Sequence, residues 1–317
     1  MFKRTLPVSS RFARGFLIAG FVIGVVSSGR FAEAKPNLGK KLLGAAAQGN
    51  TQKVLELLSQ GADPNYTDKQ GCAPLILAAG GCASAVSIDA KGRLTSIPVE
   101  SRGTVEMVRA LLEHGADRNA SDLFDDTALM FAAKYGQTDC VRALIGAHAE
   151  VNARDSDGQT ALMWASAGGH AEVVRLLLEA GAAVDNADHQ QLTALQLAAD
   201  KGHMEVVRDL IGAGANPNAK DRLGQTVLME AAKGGYSEIV IHLLANGAAI
   251  DATDSEYGET ALAAAAFHGR LAAVKVLLEK GASVNPRNKK GQTPLSIARE
   301  RGHEEVVKLL EAAGGKD

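Results

Sequence analysis

The sequence predicts an all-α solenoid of about eight helix-turn-helix units of 33 residues, joined by β-turn or hairpin loops. Three observations carry this. Thr127, Thr160, Thr193, Thr226, Thr260 and Thr293 recur at spacings of 33, 33, 33, 34 and 33 residues. Self-similarity at a fixed period of this size marks a stacked repeat array. Thr160 and Thr226 follow a turn of the form Asp-x-x-Gly and the others a variant of it, the glycine supplying positive φ without steric cost, and each precedes two apolar stretches at helical spacing.

Residues 155–185 show one whole unit. Asp155-Ser156-Asp157-Gly158 is the turn, and Thr160 is placed to cap the first helix through its hydroxyl. Leu162, Ala165 and Ser166 put small and apolar groups on one face of that helix, so neighbouring units can approach closely. Val173, Val174, Leu176 and Leu177 form the buried stripe of the second helix. Gly181 stands where that helix must end in a left-handed residue. No unit can bury its apolar faces alone, so stacking is the fold.

The pattern D-x-x-G-x-T-A-L-x-x-A-x-x-x-G-H-x-E-V-V-x-L-L-L-x-x-G-A-x-V-N resembles the ankyrin repeat, whose signature is T-P-L-H-x-A. Thr293-Pro294-Leu295 comes closest. The signature histidine is replaced by Met163, Gln196, Met229, Ala263 or Ser296. The resemblance covers residues 37–314 and is to exported bacterial ankyrin-repeat proteins. It implies a protein-binding scaffold whose turn tips and first-helix ends form a concave partner surface.

The units run over residues 37–66, 67–121, 122–154, 155–187, 188–220, 221–253, 254–287 and 288–314. The first and last carry the polar outer faces that end repeats need, through Lys40, Lys41, Gln48, Asn50 and Gln52 at one end and Arg299, Arg301, Glu304 and Lys308 at the other. Repeat two begins at Gly71-Cys72-Ala73-Pro74-Leu75. It then carries about 21 inserted residues between its helices, covering 82–102. Lys91-Gly92, flanked by short alternating segments, suits a small hairpin. Asp125, His148 and Gln191 stand where glycines belong in other units; Asp and His tolerate the left-handed region better than most side chains.

Residues 1–34 read as a cleavable signal peptide. Lys3, Arg4, Arg11 and Arg14 make a positive start, Phe16 to Val26 is apolar, and Ala32-Glu33-Ala34 is a cleavage signal before Lys35. The expected location is periplasmic or secreted, with membrane contact only through this segment. Its removal takes away five basic and one acidic residue, moving the formal charge from −2 to −6. An acidic mature domain (residues 35–317) argues against nucleic acid as partner.

The three cysteines are Cys72, Cys82 and Cys140. Cys140 falls on the buried stripe of a second helix and is expected to pack as a small hydrophobe. Cys72 and Cys82 are expected at opposite ends of one first helix, about 15 Å apart if all ten residues were helical. That predicts no disulfide and leaves Cys82 as a free loop thiol.

No catalytic or metal-binding motif is present: no C-x-x-C, H-E-x-x-H, phosphate loop or G-x-S-x-G. His170, His203 and His303 are expected to cap and pack between helices. Asp68, Asp122, Asp155, Asp188, Asp221 and Asp254 recur at every turn and are expected to stabilise turns. The reading is therefore a non-enzyme, without cofactor or metal, acting as a monomer on a protein partner.

Partner-binding residues are sought among the positions left free by the framework. They are Leu123, Phe124, Lys134 and Tyr135 in repeat three, Arg222 and Leu223 in repeat six, Tyr257 and Phe267 in repeat seven, and Tyr66 before repeat two. Exposed aromatics are what interface hot spots are made of, so Phe124, Tyr135, Tyr257 and Phe267 are expected at exposed positions. Phe131 and Trp164 are expected in the core. An alternative function makes the protein an inhibitor or protector of an exported enzyme, acting through the 82–102 insert. Long loops inside compact folds are usually functional or disordered.

Overall fold

A computed structural model describes residues 36–82, 86–88, 94–96 and 104–317. The signal-peptide reading and most of the insert lie outside these residues. Eight helix pairs follow one another. They are α1 (Pro36–Ala47) with α2 (Thr51–Ser59), α3 (Pro74–Ala78) with α4 (Val105–Glu113), and α5 (Ala128–Lys134) with α6 (Thr138–Gly146). Next come α7 (Ala161–Gly168) with α8 (Ala171–Glu179), and α9 (Ala194–Lys201) with α10 (Met204–Gly212). The stack ends with α11 (Val227–Gly234) and α12 (Ser237–Ala245), α13 (Ala261–Phe267) and α14 (Leu271–Glu279), and α15 (Pro294–Arg301) and α16 (Glu304–Ala312). Within the insert, β1 (Val86–Ile88) pairs antiparallel with β2 (Leu94–Ser96), Ser87 opposite Thr95. The expected hairpin is present.

From repeat three onward, each first helix starts at its threonine. The hydroxyls of Thr127, Thr160, Thr193, Thr226, Thr260 and Thr293 accept from the backbone N–H three residues on. In the turn before each cap, one side-chain oxygen, of an aspartate or in repeat eight of Asn288, gathers two N–H groups. Asp155 Oδ1 accepts from Asp157 and Gln159, both at 2.9 Å, and Asp188 and Asp221 repeat this. The recurring aspartates are turn builders. Asp125, His148 and Gln191 do adopt positive φ, at 61°, 60° and 63°.

Small side chains set the stacking. Ala132, Ala133, Ala165, Ser166, Ala198, Ala199, Ala231 and Ala232 are buried, and the first-helix layer packs more closely than the second-helix layer. Second helices bury a stripe such as Val173, Val174 and Leu177 in α8. Each fully buried side chain of this size is worth about 1.5–3 kcal/mol of transfer free energy.

Two further ladders tie the units together. The ring of His170 donates from Nε2 to the Lys134 carbonyl at 2.9 Å, closing the end of α5. His203 and His303 do the same toward Ala167 and Phe267, and Arg270 reaches Lys233. The histidines thus cap the preceding unit's first helix rather than their own. Gly136 is required beneath this contact: its φ is 65°, and a Cβ there would lie 2.5 Å from His170 Nδ1. The second ladder uses the V-N position. Asn152 accepts from Ala183 N at 2.8 Å and donates to Gly181 O at 3.1 Å; Asn218 repeats the clip onto Ala249 and Gly247.

One expectation is overturned. Cys72 and Cys82 are joined by a disulfide, their Cα atoms 6.2 Å apart. The helix between them is only the five residues of α3. After it, Gly80 at φ 87° and Cys82 at φ 55° fold the chain back, so the ten-residue helical span does not exist. Cys82 is therefore not a free thiol. Cys140 is the free cysteine and is buried, as its place on the α6 stripe predicts. Burial, then the nearby charges of Asp139 and Glu106, push its thiol up to about 11.

Candidate functional site

The turn tips form one connected strip. Ser156 N donates to Phe124 O at 2.8 Å, His189 N to Asp157 O at 2.9 Å, Arg222 N to Gln190 O at 3.0 Å, and Ser255 N to Leu223 O at 2.8 Å. Every tip backbone from repeat two to repeat eight is bonded to its neighbour in this way. Side chains on the strip are thus carried by a rigid backbone, which lowers the ordering cost of binding.

Leu123 and Phe124 stand on this strip 68% and 55% exposed, the two most exposed large apolar side chains among the described residues. Their turn is held by Asp122, whose Oδ1 accepts from Phe124 N at 2.8 Å. Leu223, 47% exposed, and Arg222 take the equivalent place in repeat six.

At the end of α5, Lys134 is exposed and its Nζ lies 4.7 Å from the Trp164 ring centroid and 5.7 Å from that of Tyr135. Trp164 and Phe131 are buried and meet edge to face at 5.5 Å, the favoured aromatic geometry. Trp164 Nε1 donates to Asp155 Oδ2 at 3.2 Å, which ties the ring to its own turn. The expectation that both rings are core holds, and Trp164 still offers a face to Lys134.

The other predicted aromatics are less exposed than expected. Tyr135 is half-buried, its ring against Gly80. Tyr66 is half-buried over Gly39. Tyr257 and Phe267 are half-buried as well, with Lys290 5.7 Å from the Tyr257 centroid and the Arg301 guanidinium 3.7 Å from that of Phe267. The cause is the repeat period: a large side chain at a turn or helix end falls beside the next unit and packs on it. Of the four aromatics expected to be exposed, only Phe124 is. The predicted residues therefore fall into a group on repeat three, a group on repeats six and seven, and Tyr66 by itself.

One groove residue was not singled out from sequence. Glu230 lies in α11 at the position held by Phe131, Trp164, Leu197, Ala264 and Ile297 in other units. It is buried and paired with Lys233 at 3.0 Å. Burial raises its carboxyl above the ordinary range, and Lys233 opposes the rise. A single charged residue in an otherwise apolar column was the available signal. Beside it, Lys201 pairs with Asp200 at 3.0 Å.

Among the described residues no group of three or more His, Cys, Asp or Glu can hold a metal ion. No helix among them is long and apolar enough to cross a membrane. Nothing in the site indicates catalysis.

The family model "Ankyrin repeats (3 copies)" matches residues 98–155, 144–221, 195–288 and 228–316, more than half of the chain. The chain belongs to the ankyrin-repeat family. It is 58% identical over 43 residues to the "Putative ankyrin repeat protein YahD" of Escherichia coli, 14% of this chain and 21% of that one. It is 54% identical over 41 residues to the human "Ankyrin repeat domain-containing protein 63", 13% of this chain and 11% of that one. The mouse protein of that name is 57% identical over 37 residues, 12% and 10%. The matches thus span about a fifth of the bacterial relative's length and about a tenth of the mammalian ones. Ankyrin repeats generally mediate protein–protein interaction.

Proposed function

We propose that this protein is an exported, non-enzymatic binding protein. It holds a periplasmic or secreted protein partner on its turn tips and first-helix ends, and it acts as a monomer after cleavage near Ala34. The observation that carries the reading is the adjacent pair Leu123 and Phe124, exposed on a backbone strip hydrogen-bonded from end to end. Monomeric proteins leave large apolar groups side by side at such points chiefly where a partner covers them. The Cys72–Cys82 disulfide supports export, because disulfides persist in oxidising compartments.

Phe124 and Tyr135 anchor the partner. The test is affinity capture from periplasmic extract with residues 35–317, followed by affinity measurement on the retained protein. Replacing both residues with Ala weakens binding by more than about 2 kcal/mol. A double variant with an unchanged circular dichroism spectrum and unchanged affinity refutes the site.

A second reading makes the insert the effector, inhibiting or protecting an exported enzyme. It is favoured by the antiparallel pairing of β1 with β2 in the insert and by the disulfide at Cys82, where the insert begins. The discriminating variant deletes residues 83–102 and keeps Cys82. Under this reading the deletion abolishes the effect on the enzyme while stability hardly changes.

A further inference from the structure

Repeat two lacks the local devices of the units that follow it. Ala73 replaces the capping threonine, and no side chain caps α3. Gln137 of repeat three stands where His170, His203 and His303 stand in their units. At five residues, α3 is also the shortest of the first helices. The Cys72–Cys82 disulfide joins the two ends of this helix instead.

Each cysteine belongs to a segment that supports repeat three. Cys72 is part of the tip turn: its N–H donates to Asp68 Oδ1 at 3.1 Å, and its carbonyl accepts from Asp68 N at 3.2 Å. In that turn the Gln70 carbonyl accepts from Leu123 N at 3.1 Å. Gly71 packs so closely on the Asp122–Leu123 backbone that a Cβ there would lie 3.2 Å from it. Cys82 ends the loop on the other side of α3. A Cβ on Gly81 would lie 2.5 Å from the Phe131 ring, and one on Gly80 would lie 3.1 Å from the Tyr135 ring. Phe131 in turn meets Trp164 edge to face at 5.5 Å. One covalent bond thus ties the support of the Leu123–Phe124 tip to the support of Tyr135 at the end of α5.

Resting on the interaction reading above, we infer that the Cys72–Cys82 disulfide is a redox-dependent brace for the partner surface of repeat three. The oxidised form holds tip and helix end together and binds; the reduced form does not. The reductant is a dithiol. Its thiolate attacks Cys82 Sγ, the less buried of the pair, and Cys72 leaves as a thiolate. The second thiol of the reductant then displaces Cys82 and closes the reductant's own disulfide. Two electrons and two protons pass to the cysteines, which end as thiols. Without the bond α3 has neither cap nor link, so the turn at 68–72 and the loop at 80–82 are no longer held to each other. Binding must then order them, which weakens it.

The test starts without a partner. Trp164 is the sole tryptophan, so its emission reports the Phe131 contact. Residues 35–317 are compared oxidised, in excess dithiothreitol, and as Cys72→Ser/Cys82→Ser. Reduction and the double variant move Trp164 emission to longer wavelength and speed amide exchange at 122–135, with α8 to α16 unchanged. Gly81→Ala, which drives a methyl into the Phe131 ring with the disulfide intact, also moves the emission. Asn285→Ala removes the clip onto Gly314 and Lys316 in repeat eight and leaves the emission as it was. The protein captured by the oxidised form binds about tenfold more weakly to the reduced form and to the double variant, and equally well to Asn285→Ala. Emission and exchange at 122–135 unchanged in the double variant overturn the inference, as does a disulfide that survives dithiothreitol in the folded protein. The two readings fail separately. A partner lost with Phe124→Ala but bound equally by oxidised and reduced protein leaves the interaction reading standing and removes this one. A partner indifferent to Phe124→Ala removes the interaction reading, whatever Trp164 reports.

Discussion

His170 in repeat four rests on Gly136 of repeat three and donates from Nε2 to the Lys134 carbonyl at 2.9 Å. One ring thereby closes the end of α5, packs two units together and fixes the position of Lys134 beside Trp164.

His170→Ala should lower stability by about 1–2 kcal/mol, through the lost hydrogen bond to a helix-end carbonyl. Gly136→Ala should cost more, because it meets the ring and must also adopt φ 65°. The pair Gly136→Ala/His170→Ala should recover part of the second loss. Urea unfolding of the four proteins checks this; additive losses would mean that the contact is not what makes the glycine necessary.

The Cys72–Cys82 link closes a short loop, and the loop-entropy relation gives it about 2–3 kcal/mol. Cys72→Ser/Cys82→Ser should destabilise repeats one and two by about that amount and speed amide exchange in α1 to α4. With the link intact, thiol titration of the folded protein at neutral pH should find no fast-reacting group, since burial pushes Cys140 up to about 11. Denaturation without reductant should then release one thiol. Two or three would contradict the disulfide.

Asn152 makes two bonds to the following unit. Asn152→Ala should cost about 1–3 kcal/mol, whereas Asn152→Asp keeps the acceptor and loses only the donor. Melting temperatures should rank wild type, then Asp, then Ala. No role was read for this asparagine in the sequence, because its partners lie about thirty residues on, in the next unit.

Glu230 is held above the ordinary carboxylate range by burial. A carboxyl whose folded value is raised favours the protonated fold. Its contribution is fully present below the unfolded value near 4.5 and is lost as pH rises through the folded value. Glu230→Gln should therefore flatten that part of the stability profile and leave the protein relatively more stable at pH 7 than at pH 4, each compared with wild type. A parallel offset at both pH values would contradict this.

The fold was readable because its determinants are local and periodic: a capping Thr160, a turn-building Asp155 and a helix-ending Gly181 announce themselves within a few residues. The disulfide was not, because it depended on α3 stopping at Ala78, four residues before Cys82. Neither was the burial of Tyr135 and Phe267, which depends on what the adjacent repeat places beside them. Leu123 and Phe124 remain exposed at their turn tip, whereas Tyr257 at the equivalent place is half-buried.

Hydrogen exchange of residues 35–317, alone and with the captured partner, tests the central claim most directly. The account predicts slowed exchange at residues 122–135 and along the tips of the following repeats, with α6, α8 and α10 unchanged. Protection confined to those second helices would contradict it.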